Sequence, residues 1–369
     1  MGRVAILADD LTGALDTAAP FAIEGDAVTV AWRTGAVAGA GAFAFDTETR
    51  GANAADASTR VLSCLPRLRQ ADISFKKLDS LMRGNTLAEL AACAGSGAFA
   101  SVVIAPAFPE QGRITRGGHQ IAAGNDDSKA LDVDLAGALA ERRIAVRIVA
   151  RGEAPPDRGV TVCDAETGAD LAHLAETASQ LQRPVLWCGT AGLARALSHP
   201  VTVPAQDLTG RRLVIVGTRH PVAAAQAERL RLRMGRTVNV VEDGGDAAAK
   251  IRSVGETLGA GGSSAILFAL PPLDPPAAEA IFDSAFADLA GLEPPDVLVV
   301  VGGDTLFRLC RAVRAESLAT IGEWSPGVPV SRIVGGQWDG TRLISKSGAF
   351  GDEDILVRLL DNAEADARR

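Results

Sequence analysis

The chain contains no tyrosine, and its aromatic content of 4% comes from eleven phenylalanines and four tryptophans. A core built from such a sequence must be aliphatic. Cysteine is scarce too. Cys64, Cys93, Cys163, Cys188 and Cys310 are scattered, odd in number and without a CxxC pair, which argues against a disulfide framework or a zinc site and fits a reducing, cytoplasmic setting. Long uncharged apolar runs are missing: Met1-Gly2-Arg3-Val4-Ala5-Ile6-Leu7-Ala8 gives way at once to Asp9-Asp10, too short a stretch for a signal peptide, and no membrane-spanning run follows. Positive charge is in deficit. The 37 Lys and Arg against 45 Asp and Glu leave a net charge of -8, which repels nucleic acid and anionic lipid, so an anionic ligand must meet local positive charge. No GxGxxG follows the first strand of either half, and neither a GxxxxGK[ST] loop nor a GxSxG elbow occurs. Those absences disfavour a dinucleotide dehydrogenase, a P-loop enzyme and a serine hydrolase.

What is present is an alternation of short aliphatic runs with Ala-rich amphipathic stretches, the pattern of strands and crossover helices in α/β folds. Over 369 residues it predicts two domains, each a mainly parallel sheet covered by helices, with an interdomain cleft. Strands are expected at Val4 to Leu7, Ala27 to Ala31, Ala42 to Phe45, Ile73 to Phe75, Val102 to Ile104, Ala145 to Val149, Val160 to Val162 and Val185 to Trp187. A second set is Leu213 to Val216, Thr237 to Val241, Ala265 to Phe268 and Val297 to Val301. Helices are expected over Ala165 to Leu181 and Val222 to Leu232. The Pro-bearing polar segment Ser198 to Gly210 reads as a linker and separates residues 1–200 from 210–369.

Chemistry-bearing residues gather where the strands of the first half end. Lys76-Lys77-Leu78-Asp79-Ser80-Leu81-Met82-Arg83-Gly84-Asn85 brings ammonium, carboxylate, hydroxyl and guanidinium groups to one strand end, ahead of a capped helix start at Asn85, a set suited to an anionic, hydroxylated substrate. Asp9-Asp10-Leu11-Thr12 places paired acids at another, suited to magnesium or general-base work or, equally, to capping a helix. Asp46 to Arg50 ends a third strand. Ala105 to His119 reads as a long Gly- and Pro-punctuated loop, and its Arg113, Arg116 and His119 would add positive charge beside Lys77 and Arg83 if the two strands are neighbours. The second half is organised around glycine turns: Val216-Gly217-Thr218-Arg219-His220, Gly302-Gly303-Asp304-Thr305, and Ser345-Lys346-Ser347-Gly348-Ala349-Phe350-Gly351. Glycine lets backbone amides approach phosphate oxygens, and a helix N-terminus adds partial positive charge.

Taken in order, these motifs resemble those of the four-carbon acid sugar kinases, which phosphorylate threonate, erythronate or 3-oxo-tetronate with ATP. Ala8 to Ala14 is similar to the family's ADDLTGA, Lys76 to Gly84 to its KKxDSTxRG, and Ala105 to Thr115 to its APAFPEQGRxT. Val301 to Thr305 is similar to its GGET turn, followed by a PGVP (Pro326 to Pro329), a GG pair (Gly335-Gly336) and a KSGxFG series (Lys346 to Gly351). The chain departs from the pattern at Leu81, usually Thr, at Asp304, usually Glu, at Ala349, and at Gly217 to His220, where many members carry a GSxS-type turn.

The resemblance implies an acid-sugar-binding domain over 1–200, an ATP-binding domain over 210–369 and transfer in the cleft between them, to a terminal hydroxyl of the acid. It implies substrate contacts from Arg50, Lys77, Asp79, Ser80 and Arg83, with the substrate carboxylate on Arg50, Lys77 or Arg83. Asp9, Asp10 and Asp79 share hydroxyl binding, base and metal contact, unranked. Thr218, Gly302, Gly303, Asp304, Thr305, Lys346, Gly348 and Gly351 would frame ATP, with Mg2+ neutralising its phosphates. The expected partners are a small sugar acid and ATP, with no nucleic acid or membrane; a homo-oligomer is compatible with the chain. The alternatives are a kinase for another small hydroxy acid and a catalytically inactive nucleotide- or metabolite-binding paralogue.

Overall fold

Val4–Ala8 is five consecutive buried aliphatic residues, and such a run, covered on both faces, is what a central parallel strand requires. The computed structural model describes residues 3–32, 41–122, 130–271 and 275–361. The chain divides into two compact units, Met1–Val201 and Thr202–Arg369. In unit 1 the elements are β1 (Val4–Ala8), α1 (Leu11–Ala18), β2 (Val28–Ala31), β3 (Phe43–Asp46), α2 (Ala54–Leu68), β4 (Ile73–Lys77), α3 (Thr86–Gly95) and β5 (Ser101–Ala105). They continue with β6 (Arg113–Arg116), β7 (His119–Ala122), β8 (Leu131–Asp134), α4 (Leu135–Glu141), β9 (Val146–Val149), β10 (Gly159–Cys163), α5 (Gly168–Glu176), β11 (Val185–Gly189) and α6 (Ala191–Ala196).

The main sheet of unit 1 has the order β2-β3-β1-β4-β11-β5-β10-β9, every pair parallel. Because side chains alternate along a strand, Ala5 and Leu7 of β1 face one core, which they share with Val61, Leu65 and Leu68 of α2 and Leu90 of α3. Each buried Val or Leu of this set contributes about 1.5–3 kcal/mol by leaving water. β6, β7 and β8 form a separate three-stranded antiparallel sheet.

Unit 2 contains β12 (Arg212–Val216), α7 (Pro221–Met234), β13 (Val238–Val241), α8 (Ala247–Gly259), β14 (Ser264–Phe268), α9 (Pro275–Ala290), β15 (Val297–Val301) and α10 (Gly303–Ala312). β16 (Ser317–Ser325), β17 (Val328–Val334), β18 (Arg342–Lys346) and α11 (Ile355–Asp361) follow. Strands β13-β14-β12-β15-β18 are parallel, and β17 and β16 extend them antiparallel. Val214, Val216, Val299 and Val301 share a core with Leu230 of α7 and Leu356, Leu359 and Leu360 of α11.

Several sequence expectations are corrected here. The segment 105–119 is not one loop: Pro109–Gln111 is a 3-10 turn, and Arg113 onward is a hairpin closed by Gly117 and Gly118, at φ 58° and 80°. Two adjacent left-handed residues give the tight turn that matches strand twist, so the Gly-Gly pair builds structure there. The helix expected over Ala165 to Leu181 is the shorter α5, started by a capping box between Thr167 and Asp170 and followed by a 3-10 turn at Thr177–Gln180. Residues of the expected linker are packed: Val203 and Leu208 are buried, and the Val203 amide donates to the Glu323 carbonyl at 2.8 Å. β6, β7, β8, β16, β17 and β18 were not expected as strands. Among the described residues no helix is long and apolar enough to cross a membrane, and all five cysteines are free.

Candidate functional sites

In unit 1, β1 lies between β3 and β4 in a parallel sheet, so the segments that leave all three strands emerge side by side. This placement brings together Asp9 and Asp10, Arg50, and Asp79 with Arg83. Arg50 is the hub. Its Nε and Nη2 grip the two oxygens of Asp9 at 2.9 and 3.1 Å, Nη1 donates to Asp10, and Nη2 also lies 3.1 Å from Asp79. Arg83 holds Asp79 from the other side, with Nη2 at 2.7 Å and Nε at 3.1 Å, and the amides of Leu81 and Arg83 also donate to Asp79. Gly84, at φ 66°, leaves room for this: a Cβ there would stand 3.0 Å from the Arg50 carbonyl and 3.2 Å from its Cγ.

Burial opposes charge on Asp9 and Asp79, but the Arg50 guanidinium beside Asp9, and the Arg83 hydrogen bonds with the Arg50 charge beside Asp79, hold both carboxyls below the usual range. Arg50 is raised in turn: its three aspartates outweigh its own burial. Asp10 is the most open of the three carboxylates, its side chain 18% exposed against 2% for Asp9 and 4% for Asp79. It caps α1 through the Gly13 amide at 2.7 Å and accepts from the Thr12 hydroxyl at 3.0 Å. The capping and ligand readings of Asp9-Asp10 are therefore compatible, because one oxygen caps while the residue stays partly open.

The two lysines of the Lys76 to Asn85 segment are not loop residues. β4 runs through both, and Lys76, fully buried, pairs with buried Glu89 of α3 at 2.7 Å. Glu89 and Asn85 thus do something other than cap α3: Asn85 stands at the N-cap without a capping bond and instead donates to the carbonyls of Thr49 and Ala52 at 2.7 Å, tying down the segment that carries Arg50. Lys77 is also buried and lies 3.8 Å from buried Asp16, whose pKa burial lifts to about 6. Ser80 is half-buried on the turn after β4, where its carbonyl accepts from Gln120 Nε2 at 3.2 Å.

Of the three charges expected from the 105–119 segment, only Arg113 joins the cluster, within electrostatic reach of Asp79 and Arg83. β11 separates β4 from β5, so the neighbouring-strand condition is not met. Arg116 pairs with Glu166 at 2.6 Å and His119 with Asp132 at 2.7 Å, both on exposed surface.

In unit 2, β12, β15 and β18 are consecutive and parallel, so the three glycine turns that follow them meet. A Cβ at Gly217 would stand 2.4 Å from Thr305 Oγ1, one at Gly302 3.0 Å from Thr218 Cβ, and one at Gly348 3.1 Å from Thr218 Oγ1 and 3.0 Å from His220 Cβ. The turns therefore pack backbone against side chain with no space for anything larger than hydrogen. A cavity of about 360 Å³ opens beside the first two of these turns, lined by Gly217, Thr218, Arg219, Gly302, Gly303, Asp304, Thr305 and Arg308 at one part, and by Phe268 and Phe282 at another. Those rings lie 4.9 Å apart. A second cavity of about 580 Å³ shares Thr218, Arg219 and Phe268 and continues along α7.

This donor set fits a nucleotide. Gly302, at φ 107°, starts α10 and brings its first amides to the cavity, Arg219 adds a cation, and an aromatic wall suits a base. Asp304 is exposed in the first turn of α10, and Thr305 is nearly buried between Gly217 and Gly302. Lys346 departs from its expected place: it is 1% exposed, and its Nζ donates to the carbonyls of Ser347 and Phe350 at 2.9 and 2.8 Å rather than facing the cavity. Gly351, at φ 85°, abuts Ile355. Among the described residues no group of three or more His, Cys, Asp and Glu could hold a metal ion.

Sequence reasoning missed Gln120, Asp16, Gln226 and the phenylalanine wall. Gln226 had a signal: it lies with Ala223 and Leu230 on the buried stripe of α7, where an amide needs partners. The others depend on which strands become neighbours.

Residues 4–132 match the model of a sugar-binding N-terminal domain, and residues 213–356 match that of a nucleotide-binding C-terminal domain. The chain is 33% identical over 400 residues to a D-threonate kinase of Cupriavidus necator, with 95% of both chains covered. It is 30% identical over 393 residues to a D-threonate kinase of Bordetella bronchiseptica, with 96% of both covered. Its fold is similar to that of a Haemophilus influenzae protein of known crystal structure, with a TM-score of 0.68 at 18% identity, covering 98% of this chain and 100% of that one. Two domain models in this order, and relatives at this identity along nearly the whole length, show that the chain belongs to the four-carbon acid sugar kinase family.

Proposed function

We propose that the chain is an ATP-dependent kinase that phosphorylates the terminal hydroxyl of a four-carbon sugar acid of the threonate type. The observation that carries the reading is a division of chemistry. The Asp9-Asp10-Arg50-Asp79-Arg83 cluster lies in the region matched as sugar-binding, and the glycine-lined cavity lies in the region matched as nucleotide-binding. The D-threonate kinases similar to this chain supply the substrate class.

Phosphoryl transfer asks a protein for positioning, charge neutralisation and a group to take the hydroxyl proton. Asp10 is assigned that last role, because it is the most open of the three carboxylates. Asp9 and Asp79 fix Arg50, and Arg83, with a half-exposed side chain, takes the acid's carboxylate. Lys77, paired to Asp16 below Gly13, contributes positive field rather than a direct grip. The α10 N-terminus with Gly302 and Gly303, together with Thr218, would cradle phosphate oxygens. Magnesium, when bound, would neutralise the phosphates; with no cluster of protein ligands among the described residues it would be carried mainly by phosphate and water oxygens, with Asp304 and the Arg308-paired Glu279 the acidic groups at the cavity.

A coupled ADP-release assay across the stereoisomers of threonate and erythronate tests the reading. Acid-dependent ADP release with at least one of them is expected. ATP binding without turnover on any acid would replace the kinase by a nucleotide-binding protein without catalysis.

A further inference from the structure

The turn after β18 is held by its carbonyl oxygens. The Lys346 carbonyl accepts from the Gly302 amide at 3.0 Å, and Lys346 Nζ takes the carbonyls of Ser347 and Phe350. Gln226, fully buried on α7, reaches across with Nε2 and donates to the carbonyls of Phe350, Gly351 and Asp352 at 3.0, 2.9 and 3.0 Å. Five carbonyls of one seven-residue turn-bearing stretch, from Lys346 through Asp352, are thus drawn onto protein donors. On the donor side, no acceptor among the described residues takes the amides of Gly348 or Gly351. Gly348 is seated against Thr218 and His220, and Thr218 lines the cavity.

Carbonyl oxygens repel phosphate and amides attract it, so a turn next to a phosphate site must sort the two. We propose that Gln226 and Lys346 are positioning residues for the nucleotide: by anchoring the carbonyls of the Ser347–Asp352 turn, they present the amides of Gly348 and Gly351 to phosphate oxygens. Lys346 acts beneath the turn and not as a phosphate ligand, and Gln226 is its partner from the neighbouring helix. The burial that depresses the Lys346 pKa to about 7 fits an amine whose partners are carbonyls instead of an anion. The inference rests on the nucleotide reading of this unit.

The test is ADP titration by calorimetry on the full chain, with acid KM and thermal unfolding measured alongside. Gln226→Met keeps the bulk of the side chain and removes its donors. Loss of two or more donor bonds that fix phosphate-binding amides should weaken ADP about tenfold or more, while the acid KM at saturating ATP changes little. Gln226→Glu adds a readout that a packing role alone would not move. Its carboxylate faces three carbonyls when ionised and regains one donor when protonated, so ADP affinity should fall as pH rises from about 5 to 8, more steeply than in the wild type. If Gln226→Met does not fold, Lys346→Met serves in its place, with the same expected loss. Unchanged ADP affinity in a folded variant overturns the positioning role and leaves the kinase reading intact. A wild-type chain that does not bind ADP overturns both.

Discussion

Asp46 shows how one carboxyl can be set by its surroundings. It ends β3, is 3% exposed, and accepts the Glu48 amide at 2.8 Å. Burial, reinforced by the charges of Asp10, Glu48 and Asp9, lifts its pKa from 3.8 to about 8, against the pull of that hydrogen bond. The folded state therefore holds a proton that the unfolded chain releases near pH 4. Stability from this group is fully present below the unfolded value and is lost as pH rises through about 8. Asn cannot ionise, so Asp46→Asn should gain on the wild type by about 4 kcal/mol between pH 5 and pH 9, read from denaturant unfolding at both. A difference that does not change with pH would show that Asp46 is ionised in the fold. At this scale the sequence was legible where a strand end projects charge, as at Asp9, Arg50, Asp79 and Arg83. It was not legible for Lys77 and Lys346. Whether a lysine reaches a ligand or turns inward depends on what packs above it, and no neighbour in sequence reports that.

Elements account for most of what could be read and for what could not. Aliphatic runs gave β1, β5, β12 and β15 to within a residue or so, because a strand buried on both faces cannot tolerate polar positions. β16 and β17 were hidden: Gly322, Pro329 and the Pro326-Gly327 turn argue against strands, yet the pair forms with register shifts between Thr320 and Gly322 and between Glu323 and Ser325 that absorb them. The strand-to-helix junction at Gly302 carries the test at this scale. At φ 107° and ψ 136° an L-residue is strained, and its Cβ would press on Thr218 and on Thr305 Oγ1 at 3.0 and 3.1 Å. Gly302→Ala should cost about 1–3 kcal/mol in unfolding free energy and displace the first amides of α10. ADP affinity, followed by calorimetry, should drop about tenfold or more, with the acid KM nearly unchanged. Retained ADP affinity would mean that these amides do not hold phosphate.

The whole molecule is two units, each with its own parallel sheet and core, and each reactant is assigned to one of them. The cavity lined by Gly217 and Gly302 draws all its residues from unit 2, whereas Asp79 binds Arg50 and Arg83 within unit 1. Asp79→Asn keeps the volume and removes the charge that fixes both guanidiniums. Arg50 then keeps only Asp9 and Asp10, and Arg83 loses its ion pair. The proton acceptor and the carboxylate grip are both disturbed by that single change. Turnover should fall about 100-fold or more, since orientation and proton transfer each contribute at least that much. ADP affinity should stay within about twofold, as expected for a change that touches no residue of the nucleotide cavity. The two quantities are read from steady-state kinetics with saturating acid and from ADP titration without acid. Acid saturation lost together with turnover would place Asp79 in substrate binding; turnover lost with acid affinity retained would place it in the chemical step. Collapse of ADP affinity with acid affinity intact would reverse the assignment of reactants to units, and the order of the two matched domains would then have to be read the other way.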